Sequence, residues 1–188
     1  ENCFLGFDSY QKVIDSGVDL VLLCTPPAFR PLHVEAAVNA GKHIFMEKPV
    51  AVDPVGARKV LVSVKRAQEK GLCMVSGTIR RVQKDFVETW RRVRNGEIGE
   101  IVSAHITRNG GGLWVVQRQP GWTDMEYMLR NWANFCWLSG DHIVEQFIHE
   151  VDVMNWYLGK NPVKAMGWGG RQRRVTGDQY DFFSVEYI

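Results

Sequence analysis

Along the first part of the chain, apolar positions fall into short unbroken runs, and the stretches between them repeat with a helical period. Asp19-Leu-Val-Leu-Leu-Cys24 is the first run. Its length suits a strand, and its lack of alternation suits one buried on both faces, as strands of parallel sheets are. His43 to Met46 and Leu72 to Ser76 are two more such runs. Residues 9–17 predict a helix: Ser9 can cap it, Tyr10, Val13 and Ile14 share a face, and Gly17 ends it. A second helix opens at Pro31, a residue suited to a first turn, and closes at Gly41. A third starts at Asp53-Pro54, carries Val60, Leu61, Val64 and Ala67 on one face, and stops at Gly71. Helix and strand thus alternate three times over residues 9–77, the pattern of a parallel sheet with crossover helices.

The pattern changes near residue 79, which divides the chain into expected domains 1–79 and 80–188. Residues 82–95 predict a helix with Phe86, Trp90 and Val93 on one side. From Glu100 to Arg108, Val102, Ala104 and Ile106 face one way and Ser103, His105 and Thr107 the other, as in a half-buried strand. Residues 109–138 are rich in Gly and Trp and read as a long loop with a short helical piece around 124–135. Ser139-Gly-Asp141 opens a long helix to Leu158, ended by Gly159. Val163 to Trp168 and Tyr180 to Ile188 are expected strands, with a basic loop between Gly169 and Gly177. The expected fold is therefore α/β, the second half of a doubly wound parallel sheet, followed by an α+β domain with a mainly antiparallel sheet. No Gly-x-Gly-x-x-Gly follows a strand, and Gly110-Gly111-Gly112 has the wrong spacing with no helix directly after it. A preceding segment that completes the sheet is expected in the natural protein, and the last strand pattern is expected to continue past Ile188.

Composition narrows the function classes. The sequence is 45% apolar and 23% charged, ordinary values for a soluble globular protein, and a net charge of +2 gives no reason to expect nucleic acid. No apolar run reaches the roughly 18 residues of a membrane-spanning helix. Cys3, Cys24, Cys73 and Cys136 fit no zinc motif and no Cys-x-x-Cys pair, and Cys24 and Cys73 are expected as small buried hydrophobes. No metal is expected.

The most specific chemistry lies in Gly41-Lys-His-Ile-Phe-Met-Glu-Lys-Pro49. It reads as a short buried strand that ends in a polar pair, after which Pro49 stops the ladder because it has no N–H. Ligands of open parallel sheets bind just beyond the carboxyl ends of the strands, so Lys48 would sit at such a crevice. Taken with Thr25-Pro26-Pro27 and His33 upstream, Glu47-Lys48-Pro49 resembles the Glu-Lys-Pro motif of the Gfo/Idh/MocA oxidoreductases, over nearly the whole chain and most closely over residues 9–160. The resemblance implies a Rossmann-like first domain and hydride transfer between NAD or NADP and a secondary alcohol of a sugar, inositol or related polyol. It implies that Thr25, Pro26, Pro27, His33, Glu47, Lys48 and Pro49 line the cofactor, and that the missing segment carries the glycine loop and the residue that separates NAD from NADP. It further implies a carbohydrate-like small-molecule partner and a homo-oligomer through the second-domain sheet, without nucleic acid or membrane. The cytoplasm is the default compartment, with export left open by the missing N-terminus.

Oxidising an alcohol requires a base within hydrogen-bond reach of its hydroxyl. Lys48 is the first candidate, since burial or a neighbouring positive charge favours the neutral amine. Glu145, His149 and Asp152 follow at spacings that place them on one helical stripe, which is either a solvent-facing polar stripe or part of a site. By the resemblance, Glu145-Gln-Phe-Ile-His149 stands where the family often has Asp-x-x-x-His. His149 would be a second acid/base or a hydroxyl ligand, and Glu145 would orient its imidazole or bind another hydroxyl. For substrate binding the candidates are Arg81, following Arg80 after the third strand, and Trp122, Arg130 and Asn131 in the long loop, with Asp152. Any one of the tryptophans can equally pack the second domain. The alternatives to a dehydrogenase are a glycosidase that uses NAD for transient oxidation and a non-catalytic binding protein on the same fold.

Overall fold

Parallel pairing organises the first half of the molecule. A computed structural model describes residues 3–188, and they divide into two compact units, the residues up to Gly77 with Cys136–Gly140, and Thr78–Phe135 with Asp141–Ile188. In the first unit the elements run α1 (Ser9–Asp15), β1 (Leu20–Leu23), a 3-10 turn at Pro27–Phe29, α2 (Arg30–Asn39), β2 (His43–Met46), α3 (Pro54–Glu69) and β3 (Met74–Ser76). The sheet order is β1-β2-β3, all parallel, with Leu23 opposite Met46 and Met46 opposite Ser76. The carboxyl ends of the three strands therefore emerge along one edge. Asp53 caps α3 by accepting from Gly56 N at 2.6 Å, and Pro54 supplies the preset φ of a first helical residue.

The core lies on one face of this sheet. Val21, Leu23, Ile44 and Met46 point into it and meet Ile14 of α1, Val34, Ala37 and Val38 of α2, and Val60 and Ala67 of α3. The opposite face is open. Along β1 exposure alternates, from Leu20 at 52% and Leu22 at 66% to Val21 at 4% and Leu23 at 8%. The apolar run is thus not buried on both sides as its composition implies, because the helices of this unit cover only one side. The same geometry corrects the cysteines. Cys24 extends the open-face alternation of Leu20 and Leu22 and is exposed, and Cys73, just before β3, is exposed too.

The second unit contains α4 (Lys84–Arg94), α5 (Asp124–Arg130), a 3-10 turn at Trp132–Asn134, α7 (Asp141–Glu145), α8 (Ile148–Leu158), β4 (Ala165–Gly170) and β5 (Phe182–Tyr187). The short α6 (Cys136–Ser139) belongs to the first unit. β4 and β5 pair antiparallel, with Ala165 opposite Tyr187. Two expectations fail here. Residues 101–119 form no strand, since a strand needs a partner ladder and alternation alone does not supply one. The expected single helix over 141–158 is broken: Phe147 N reaches back five residues to His142 O at 3.0 Å, and the chain restarts as α8. Phe147 packs edge-on against Phe183 at 5.4 Å, a contact from β5 that holds the break. Among the described residues no helix is long and apolar enough to cross a membrane.

Candidate active site

The edge of the first sheet is built from backbone outward. Glu47 N donates to Leu23 O at 3.1 Å and Gly77 N to Met46 O at 2.8 Å, so the ladder continues one bond past each strand end before the chains diverge. The turn after β1 presents Thr25 and Pro26, and the turn after β2 presents Glu47 and Lys48, both half-buried. Pro27 and Pro49 are buried and support these turns from beneath. The Lys48–Pro49 peptide is cis. A Cβ at Gly77 would lie 2.8 Å from Glu47 Oε2, so a side chain there would make the Glu47 carboxylate shift. The Glu47 carboxylate rests directly on the bare glycine.

His33 is buried in α2, with its Nδ1 3.2 Å from Thr25 Oγ1 and its ring stacked on Tyr10 at 4.5 Å. Burial, and secondarily the positive charge of Arg30, holds its pKa below the ordinary histidine value, so the ring is neutral at neutral pH. It is therefore a fixed hydrogen-bonding partner for Thr25 and not a surface histidine. Arg30, one turn earlier, escaped the sequence reading. Its guanidinium is buried and donates to Leu23 O, Thr25 O and Pro49 O. The signal was present in the sequence: Arg30 shares a helical face with Val34, Ala37 and Val38, where a charge is out of place.

The crevice residues fit a nicotinamide dinucleotide in their donor chemistry. Thr25 brings a hydroxyl, Glu47 a carboxylate acceptor and Lys48 an amine donor to this edge. A pyrophosphate cradle is not among them, since no glycine-rich phosphate loop occurs in the sequence.

In the second unit the predicted site residues fall into three pairs, with Asn131 apart from them. Glu145 ends α7 and is buried against Gln146, and His149 lies half-buried in the first turn of α8, so the break in the helix removes them from one regular stripe. Asp152 and Arg81 are each other's partners, through Nε at 3.0 and 2.9 Å and Nη2 at 2.8 Å. Trp122 and Arg130 also pair, the guanidinium lying 4.4 Å from the ring centroid while it donates to Glu126. Asn131 lies inside this unit. It is fully buried, accepts from Val116 N at 2.8 Å and donates to Val116 O and Tyr127 O. Its role is to pin the Trp-rich segment to the end of α5. A cavity of about 870 Å³ lies beside α8 and β5, lined by Phe147, Val151, Met154 and Phe183 with His105 and His142 at polar positions. No group of three or more His, Cys, Asp or Glu among the described residues is arranged to hold a metal ion.

Glu150 is the hub of this unit. Arg80 Nη2 and Arg108 Nη1 each donate to its Oε1 at 2.9 Å, and its buried Oε2 has no hydrogen-bond partner. Glu150→Ala leaves two arginines without their shared anion. Both keep more than a quarter of their side-chain surface in solvent, at 27% and 29%, so the loss is about 2 kcal/mol, below that of a fully buried pair. Denaturant unfolding checks this, and a change under about 0.5 kcal/mol would show the hub to be energetically idle.

Residues 3–77 match the family model described as oxidoreductase family, NAD-binding Rossmann fold (GFO_IDH_MocA). An inositol 2-dehydrogenase of Rhizobium meliloti (strain 1021) is 28% identical over 182 residues, covering 96% of this chain and 48% of the relative. A 2,7-anhydro-N-acetylneuraminate hydratase of Escherichia coli (strain K12) is 30% identical over 170 residues, covering 88% and 41%. Among solved structures, the WlbA dehydrogenase of Bordetella pertussis in complex with NADH and UDP-GlcNAcA superposes with a TM-score of 0.72 at 18% identity, covering 98% of this chain and 48% of that one, a likeness of fold. The chain spans about half the length of the curated relatives it matches. The parallel sheet whose edge carries Glu47-Lys48-Pro49 thus lies within the segment that matches the Gfo/Idh/MocA oxidoreductase model, and the chain is similar to these relatives over most of its length.

Proposed function

We propose that the whole protein is an NAD(P)-dependent oxidoreductase that transfers a hydride between its cofactor and a secondary alcohol of an inositol, sugar or related polyol. The observation that carries this reading is the placement of Lys48 at the carboxyl edge of the parallel sheet, one ladder bond from the Thr25 turn. Relatives named as inositol 2-dehydrogenases support the substrate class, and a neighbour of the same fold in complex with NADH supports the cofactor.

When bound, the nicotinamide supplies the redox chemistry by exchanging a hydride with the alcohol carbon. The chain's own residues orient the reactants and move the proton. Lys48 takes the hydroxyl proton as the carbon is oxidised and returns it in the reverse direction. Thr25 and Pro26 line the nucleotide, with Pro27 and neutral His33 fixing the turn, and Glu47 accepts from a ribose hydroxyl. In the second unit His149 serves as a second acid/base or hydroxyl ligand and Glu145 orients it. Trp122, stacked with Arg130, offers an aromatic face to a sugar ring, and the Arg81–Asp152 pair offers polar contacts. Self-association through the β4–β5 sheet is supported by its exposed Met166, Trp168 and Phe182.

Incubating the whole protein with NAD or NADP and a panel of inositols and sugars tests the reading. Net accumulation of reduced cofactor with at least one cyclitol or sugar is expected. Conversion of a sugar with no net reduced cofactor would replace it with transient oxidation. No turnover of any of them would remove the assignment.

A further inference from the structure

We infer that Arg30 is a positioning residue for Lys48, an inference that rests on the proposed role of Lys48 as the base. The geometry is specific. Arg30 is 2% exposed, and its guanidinium donates from Nε to Leu23 O at 3.4 Å, from Nη2 to Thr25 O at 2.7 Å and from Nη1 to Pro49 O at 2.5 Å. Those carbonyls belong to the last residue of β1, to the turn that follows it, and to the residue directly after Lys48. Leu23 O also accepts from Glu47 N at 3.1 Å, directly before Lys48. The backbone on both sides of Lys48 is therefore tied to one node, Leu23 O from the front and Arg30 from behind.

A stability role alone does not call for this residue. Burying a guanidinium is costly, and apolar side chains of similar volume commonly serve a core as well or better. What a guanidinium adds is a rigid planar fork whose donors hold three acceptors in fixed directions at once, which a flexible ammonium does not. The three acceptors here lie on both lips of the cofactor edge. Arg30 is buried behind this edge, so it acts through the position of Lys48 and the Thr25 turn. The same helix reinforces that turn one step later, through His33 Nδ1 and Thr25 Oγ1.

The test uses Arg30→Lys, Arg30→Met and Lys48→Ala in the whole protein, with the polyol it oxidises fastest, unlabelled and deuterated at the reacting carbon. Lysine keeps the charge but loses the planar fork that holds the three carbonyls in fixed directions, and methionine keeps apolar volume. A misplacement near 1 Å at a reacting group costs on the order of 100-fold, so both Arg30 variants are expected to lose about 10- to 100-fold in kcat. Their KM for polyol should change far less, and the deuterium isotope effect on kcat should rise as the chemical step becomes limiting. A merely structural arginine would lower the thermal midpoint and leave the isotope effect unmoved. Folded Arg30 variants with unchanged kcat and isotope effect, beside an inactive Lys48→Ala, would overturn the positioning role. Failure of both Arg30 variants to fold would overturn it as well, by making Arg30 a stability residue. A fully active Lys48→Ala would instead overturn the underlying assignment of Lys48.

Discussion

Replacing Lys48 by alanine is expected to lower kcat for polyol oxidation by about 100- to 10,000-fold, the range contributed by a positioned acid/base. That corresponds to roughly 3 to 5 kcal/mol of transition-state stabilisation. The expectation rests on where Lys48 stands. It follows β2 at the carboxyl edge of a parallel sheet, half-buried, with the backbone before and after it fixed by Leu23 O and Arg30. Alanine removes the amine without disturbing either backbone bond, so folding and cofactor affinity should persist. Steady-state kinetics with parallel cofactor titration separates the two effects. A loss of cofactor binding with kcat intact would make Lys48 a cofactor ligand and not a base.

The largest expected effect on stability lies elsewhere, at Gly177. Its φ is +74°, and a Cβ built there would sit 1.7 Å from Asn134 O and 2.5 Å from Asn134 C. Both are backbone atoms, so no side chain can swing aside. Asn134 is itself held by donating from Nδ2 to Trp114 O at 3.0 Å, while its carbonyl accepts from Asp178 N at 3.1 Å. Gly177→Ala must therefore push the 171–180 loop away from the Trp132–Asn134 turn. Left-handed strain and overpacking each cost about 1–3 kcal/mol, so a loss of about 3 kcal/mol or more is expected. For a chain of this size that is a fall of roughly 10 °C in melting temperature. Gly99 provides the control, with the same φ of +74° and nothing within 4 Å of its Cβ. Gly99→Ala should cost only the strain of φ, about 1 kcal/mol. Equal effects at the two positions would show that the close approach to Asn134 contributes nothing.

How much of this was legible in the sequence depends on whether a feature is local or needs a partner. The parallel sheet, its helices and the strand-end motif follow from runs of apolar residues and from caps such as Asp53, all local signals. The open face of β1 was not legible, because Leu20 and Leu22 look the same whether or not a layer covers them. Arg30 was legible in principle as a charge on an apolar stripe. Asn131 was not: its burial depends on Val116, fifteen residues away, lying against it. The alternation over Glu100 to Arg108 reports which side chains could share a face, but a strand forms only where a second backbone offers its ladder. The break between α7 and α8 belongs to the same class, since Phe183 from a distant strand meets Phe147 and His142 there.

In the proposed reaction Lys48 stands beside a net hydride transfer at the edge of this sheet. Its most direct measurement is the isotopic content of the cofactor after the whole protein has turned over an inositol deuterated at each secondary carbon. Reduced cofactor carrying one deuterium on its nicotinamide ring is expected to accumulate, at a rate that collapses in Lys48→Ala. Inositol or sugar converted while the cofactor pool stays oxidised and unlabelled, or labelled cofactor formed at the wild-type rate by Lys48→Ala, would contradict it.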